Sequence, residues 1–328
     1  MRVLVTGAAG FIGSHVCERL ASGGHEVVGL DDLSTGSIEN VDGIPVRLVE
    51  GSILDLDALA DASAGASAIV HLAARPSVPR SIVDPVASHE ANATGTLRVL
   101  EAARTLDDPI VVVASSSSVY GANPTLPKRE DLATQPLSPY AVSKLATEQY
   151  ALAWQHSYGL RTLAFRFFNV FGPRQAPGHA YAAVIPAFIH AALTGQPLTV
   201  HGDGTQSRDF TYVGTVTEVI VDAITRGVSA PTPVNLAFGS RTSLLEVIER
   251  VGQLTGLGPL ERNHTEVRPG DVPHSQADNT LLRSLFPDVE PVSLDDGLAA
   301  TVEWMQTWLG STGQVDSRPI TSPTTTSV

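Results

Sequence analysis

Six short runs of continuous apolar, mostly β-branched residues constrain this chain more than any other feature. They are "RVLVTG" (2–7), "EVVGLD" (26–31), "VRLVEG" (46–51), "AIVHLA" (68–73), "IVVVASS" (110–116) and "TLAFRFF" (162–168). Their lack of polar alternation is the pattern of strands buried on both faces, which parallel sheets require. Between them lie stretches of helical periodicity at 12–22, 89–105 and 139–157. Strand–helix alternation of this kind predicts an α/β fold with a doubly wound parallel sheet over residues 1–170.

After Arg174 the pattern loosens. A helical stretch at 181–194 precedes a short strand, "LTVHG", and "PVNLAFG" reads as a strand returning to the main sheet near 233–239. Further helices are expected at 243–255 and 294–309. Residues 171–310 therefore read as a smaller C-terminal α/β substrate domain, and the Ser/Thr/Pro-rich 311–328 as a disordered tail. No internal repeat is visible.

Composition narrows the function. A net charge of −13 argues against nucleic acid as a partner, because a phosphate backbone demands a basic surface. No apolar run approaches the ~18 residues of a membrane span. "MRVLVTG" passes directly into a strand pattern, without a signal peptide, and Cys17 has no partner for an internal disulfide. A cytoplasmic protein is expected. Only Lys128 and Lys144 are lysines among 21 basic residues. Each is informative, since Arg replaces a solvated Lys but not one whose proton is tuned.

"VLVTGAAGFIGSHV" sets Gly7, Gly10 and Gly13 between the first strand and a helix. Gly7 suits the tight turn, Gly10 admits a pyrophosphate and Gly13 allows close helix–strand contact. The helix N-terminus offers N–H groups and a partial positive charge to phosphate. Asp31 ends the second strand, where a carboxylate accepts hydrogen bonds from the adenosine ribose hydroxyls and repels a 2′-phosphate. The expected cofactor is NAD, held by a Rossmann-type sheet.

"SPYAVSKLATEQY" opens a helix with Ser138 as N-cap and Pro139 at the first helical position. Tyr140 and Lys144 are then one turn apart on one face. A nearby ammonium favours the phenolate and lowers the phenol pKa, which makes the tyrosine a usable base. Ser115 to Ser118 follow the carboxyl end of the fifth strand, where ligands bind in open α/β sheets.

With these motifs, "LDDLSTG", "NATGTLRVLEAA", "RFFNVFGPRQ", "GDGTQSRDFTYV" and "RPGD" follow in order. The chain resembles the extended short-chain dehydrogenases/reductases, among them the NAD-dependent nucleotide-sugar epimerases of the UDP-glucose 4-epimerase type. The resemblance covers about residues 1–309. It implies a cofactor site that includes Phe11 and Ile12 at the pyrophosphate turn and Asp31, Leu33, Ser34, Thr35 and Gly36 around adenosine. Leu72, Ala73, Ala74, Asn92 and Phe168 complete it, with Tyr140 and Lys144. Ser52 and Ile53 stand where relatives often carry "GDI", so the adenine contact departs from the family pattern. Ser116, Tyr140 and Lys144 are the implied catalytic residues. Asn169, Arg208, Arg268 and Asp271, with Ser116, are the implied nucleotide-sugar contacts, and no metal is expected.

The resemblance also bears on the reaction. Sugar 4,6-dehydratases carry "TDEVYG", whose carboxylates eliminate water; here the residues are Ser117 and Ser118. That favours 4-epimerisation of a UDP-hexose over a dehydratase or a uronate epimerase, and over a non-catalytic NAD-binding protein. Ser275 falls where a bulky Tyr excludes a 2-acetamido group in relatives, so both UDP-glucose and UDP-N-acetylglucosamine are expected substrates. A homodimer through helices 92–105 and 139–157 is also implied.

Overall fold

In the computed structural model, residues 1–177, 183–267 and 272–311 are described. The six apolar runs form β1 (Arg2–Thr6), β2 (Glu26–Asp31), β3 (Val46–Glu50), β4 (Ala68–His71), β5 (Ile110–Ser116) and β6 (Arg161–Phe167). They lie in the order β3-β2-β1-β4-β5-β6, and the returning strand Val234–Leu236 pairs with β6 as the seventh. All pairings in this sheet are parallel. Strand order therefore reverses between β1 and β4, which leaves a crevice at their carboxyl ends.

Helices cover both faces, as continuous apolar strands demand. On the first face, α1 (Phe11–Ser22) buries Val16, Cys17 and Leu20 against β1 and β4. On the other face lie α2 (Leu56–Ser63), two short helices α3 (Val78–Val83) and α4 (Pro85–His89), α5 (Gly95–Ala103) and α6 (Pro139–Tyr158). Leu59, Val99, Leu100 and Ala151 fill the core beneath them. After these come α7 (Val184–Leu193), α8 (Val213–Arg226), α9 (Leu244–Thr255), α10 (Thr280–Leu285) and α11 (Leu294–Ser311). A third core joins α7, α9 and α11 through Phe188, Ile189, Val247, Ile248, Leu298 and Met305.

Local chemistry explains most boundaries. Ser138 caps α6 by accepting the Ala141 N–H at 3.1 Å, Pro139 opens it, and Gly159 closes it in the left-handed region at φ 71°. One expectation needs correction. The stretch read as one helix over 89–105 is helical from Pro85, but Glu90–Thr94 form a π turn before α5 resumes. The extra residue aims Asn92 sideways, where its amide accepts the Arg75 N–H at 2.7 Å and donates to Ser143 Oγ at 2.9 Å. The helix Val213–Arg226 had no counterpart among the sequence expectations, since its Val, Ile and Thr have strand propensity. Burial of Val216, Val219, Ile220 and Ala223 against the sheet overrides that preference. The last helix reaches Ser311, and residues 312–328 of the expected tail lie outside the described residues.

Under α6 sits a buried ion pair. Arg166 on β6 donates to Glu148 through Nη2 at 2.7 Å and Nε at 3.0 Å, with side chains 3% and 0% exposed. Ser115 Oγ adds a 2.7 Å bond to the same carboxylate. Removing one member leaves the other charge buried and alone, which costs about 3–5 kcal/mol. Arg166→Met should therefore lower unfolding free energy by about that amount in chemical denaturation. The Glu148→Leu/Arg166→Met double variant should lose less than either single one. A cost within ~0.5 kcal/mol of zero for Arg166→Met, the range of an inert surface substitution, would rule out this role.

Candidate active site

The crevice is built first by glycines. Gly7 leaves β1 in the left-handed region at φ 72°, and a Cβ there would stand 2.8 Å from the Ala73 amide nitrogen. At Gly13 a Cβ would come within 1.9 Å of the Gly7 carbonyl oxygen, so α1 can approach the turn only without one. Gly10 is the N-cap of α1 and offers no capping side chain. The first-turn N–H groups, from Phe11 onward, are thus left to an external acceptor. Phe11 and Ile12 are half-buried at this mouth.

Asp31 stands beside the turn. Its carboxylate accepts from the Ala9 N–H and the Leu33 N–H, each at 2.9 Å. Burial raises its pKa and those backbone donors oppose the rise. Leu33 is held in the left-handed region at φ 56° by this bond. Ser34 bonds Asp32 instead, and Gly36 lies against the Ala9 backbone beside Thr35. Ser52 Oγ accepts the Leu54 N–H, and Ile53 is buried with its side chain filling the space above Gly95. Leu72 and Ala73 donate to Thr6, which brings the 72–74 segment, with Ala74, against Gly7. Asn92 grips that segment through Arg75. A cradle that a single Cβ would block, next to a carboxylate, fits a dinucleotide. The Phe168 ring is buried against Tyr120, Val119 and Ala237.

The catalytic candidates meet at the carboxyl end of β5. The Ser116 hydroxyl stands by the Tyr140 phenol and favours its ionised form, while the Tyr140 N–H donates to Ser81 Oγ at 3.0 Å. Lys144 is buried and its Nζ donates to the Ala114 carbonyl at 2.9 Å. Burial pulls this lysine down to about 8. The expected depression of the phenol is not seen: burial raises Tyr140, and the Ser116 hydroxyl, which stabilises phenolate, opposes it. An ammonium engaged by a main-chain carbonyl supplies less field to the phenol than stacking on one helix face suggests. Beneath Lys144 lies His71, fully buried between Thr6 Oγ1 at 2.8 Å and Thr96 Oγ1 at 3.1 Å. Burial, then the Lys144 charge, pushes it down to about 3, so it is a neutral structural bridge at physiological pH.

Next to Ser116 opens a cavity of about 250 Å³ bordered by Ser117, Lys128, Asn169, Arg208, His274 and Ser275, among others. Asn169 Nδ2 donates to the Asp209 carbonyl at 3.3 Å, and Arg208 Nη1 donates to the Ser207 and Pro273 carbonyls. The Ser275 N–H donates to the Ser207 carbonyl at 3.0 Å, which holds its side chain, 7% exposed, in the wall. Arg268 and Asp271 lie outside the described residues. A larger groove of about 560 Å³ near Arg19 and Asp222 is lined by none of the candidate residues.

Sequence reasoning singled out Lys128 by the scarcity of lysine but placed neither it nor His274 and Asp209 in this region. Asp209 is buried, and its carboxylate accepts from the Gly239, Ser240 and Ala277 N–H groups and from Ser240 Oγ. Burial pushes it up to about 6 against those bonds.

Comparison with known proteins agrees with this architecture. Residues 3–237 match the family described as NAD dependent epimerase/dehydratase. A UDP-glucose 4-epimerase of Mycolicibacterium smegmatis is 38% identical over 315 residues, covering 93% of this chain and 99% of that one. The structure is similar to a UDP-N-acetylglucosamine 4-epimerase of Methanobrevibacter ruminantium in complex with UDP-N-acetylmuramic acid. There the TM-score is 0.88 at 34% identity, covering 94% of this chain and 98% of that one. A Thermus thermophilus UDP-glucose 4-epimerase in complex with NAD superposes with a TM-score of 0.84 at 35% identity, covering 93% and 99%. With the glycine cradle, Asp31 and the seven-stranded sheet, these matches establish that the chain belongs to the NAD-dependent epimerase/dehydratase family, as an enzyme that uses NAD.

Proposed function

We propose that the chain is a UDP-hexose 4-epimerase acting on UDP-glucose and UDP-galactose and on their 2-acetamido counterparts. One observation carries the choice of reaction. Among the described residues that line the cavity beside Ser116 there is no Asp or Glu. Elimination of water across carbons 5 and 6 needs a general acid and a general base near that bond. Serines 117 and 118 occupy the wall instead.

NAD⁺, when bound on the cradle, supplies reversible hydride acceptance at sugar carbon 4. The chain does the rest. Tyr140 takes the proton of the carbon-4 hydroxyl, and Ser116, beside the phenol, orients that hydroxyl and stabilises the phenolate. Lys144 keeps positive charge behind the tyrosine. Asn169 and Arg208 hold the diphosphate, where Arg offers a planar fork of donors. With the diphosphate anchored, the keto sugar turns its other face, and Tyr140 returns the proton. The product is the 4-epimer.

Proton NMR of the purified protein with UDP-galactose, UDP-N-acetylglucosamine and UDP-glucuronate in separate tubes should show 4-epimer from the first two. A 4-keto-6-deoxy product, or turnover of the glucuronate alone, would replace this reading. Tyr140→Phe should retain NAD and a native melting profile but lose about 10²–10⁴-fold in turnover, the usual contribution of a positioned acid–base group. Near-normal turnover would remove Tyr140 from the chemistry. Ser275→Tyr should suppress reaction on the 2-acetamido sugars while sparing UDP-galactose. Equal loss on both would mean that Ser275 does not border that substituent.

A homodimer through α5 and α6 belongs to the same reading. Next to α6 on α3 and α4, Ile82, Val83 and Val86 are exposed, as is Val142 on α6 itself. Sedimentation velocity at micromolar concentration should report a dimer that Val142→Glu weakens, and a wild-type monomer would refute it.

A further inference from the structure

Lys128 is an ammonium out of place. It is 6% exposed, in a chain that uses arginine for nearly every other positive charge. No carboxylate pairs with it among the described residues. Its Nζ donates to the Asn123 carbonyl and stands 5.9 Å from the centre of the Tyr120 ring. An ammonium carries three N–H donors, so two are left without a protein acceptor. Burying a cation without a counter-charge is costly, and burial does lower its pKa. Such a group persists where a ligand completes it.

The surroundings indicate where that ligand stands. Lys128 borders the same cavity as Ser116 and Ser275. Its main chain is locked to the segment that carries Ser275: its N–H donates to the Gln276 carbonyl at 2.7 Å, and its carbonyl accepts the Asp278 N–H at 2.8 Å. A second polar group there is unfilled. Ser118 Oγ is buried and has no hydrogen-bond partner, and Ser118 too lines the cavity. An ammonium with donors to spare and a hydroxyl without a partner, in a cavity with no carboxylate among its described lining residues, call for a group that offers oxygen acceptors. In the reading above, the diphosphate belongs to Asn169 and Arg208 and the carbon-4 hydroxyl to Ser116 and Tyr140. What is left for Lys128 is a substituent of the sugar ring.

We infer that Lys128, with Ser118, recognises a carbonyl-bearing substituent on the sugar and so sets the substrate preference of this enzyme. The inference rests on the nucleotide-sugar reading. Two substituents share the chemistry: the 2-acetamido group, whose carbonyl accepts from Lys128 while its N–H meets Ser118 Oγ, and a carboxylate at carbon 6. Ser275, in the same wall, makes the acetamido group the expected one.

The test compares wild type, Lys128→Met and Ser118→Ala by titration calorimetry and by turnover. The ligands are UDP, UDP-glucose, UDP-N-acetylglucosamine and UDP-glucuronate. For Lys128→Met, affinity and kcat/KM for UDP-N-acetylglucosamine should fall about 10- to 100-fold more than for UDP-glucose, as loss of a charged hydrogen bond does. Ser118→Ala should show the same selective direction with a smaller loss, and it keeps the test decisive if Lys128→Met does not fold. A selective loss confined to UDP-glucuronate would support the role and move the substituent to carbon 6. Equal losses on all the sugars, or none, would overturn it. Calorimetry separates this from failure of the reaction assignment, because selective binding is measurable even if no epimer forms. If UDP itself does not bind the wild type, the nucleotide-sugar reading falls, and this inference with it.

Discussion

The buried pair of Glu148 and Arg166 is the constraint on which the rest of the site depends. Glu148 sits on α6 one turn beyond Lys144 and two beyond Tyr140, so whatever fixes Glu148 fixes the catalytic face of the helix. Ser115 ties β5 to that helix twice, through the Glu148 carboxylate and the Lys144 carbonyl. Arg166 in turn lies over the Tyr120 ring at 4.7 Å, and the Tyr120 hydroxyl donates to Asn235 Oδ1 at 2.7 Å. Asn235, on the seventh strand, donates to the Lys128 carbonyl. A charge pair in a dry interior tolerates few geometries, because each bond that loosens leaves a desolvated charge exposed to nothing. One connected network thus runs from the proton-transfer helix to the wall of the substrate cavity.

On the cofactor side the controlling quantity is space rather than charge. Gly7 and Gly13 let the first turn, the 72–74 segment and α1 close on one another. The π turn at Glu90–Thr94 places Asn92 so that it holds that segment and α6 together. Neutral His71 joins β4 to β1 and to Thr96 of α5 below the same point. On the substrate side Asp209 performs the matching task, drawing the 239–240 turn and the 277 segment onto one carboxylate. Both halves of the site are held by polar groups that are buried because they have partners, and Lys128 and Ser118 are conspicuous for having unfilled valences.

Much of this was legible in the residues alone. Short continuous apolar runs between turn signals read as buried parallel strands, and six of them, with the returning "PVNLAFG", make the seven-stranded sheet, although the edge strand β3 is only half-buried. The Ser138–Pro139 start of α6 and the glycine turn are local features whose physics lies within a few residues. The α/β class, the dinucleotide cradle with Asp31 and the shared face of Tyr140 and Lys144 were therefore determined by sequence. Other features were decided only when distant segments met. Whether Lys144 depresses the Tyr140 phenol depends on the Ala114 carbonyl from another element. The helix at Val213–Arg226 exists because the sheet buries it against its own propensity. Lys128, Ser118 and Ser275 form one wall only through pairing across some 150 residues, as a bond from Lys128 to Gln276 shows. Sequence determines what local backbone and periodic burial dictate, and tertiary structure decides which polar groups find partners and which are left to a ligand.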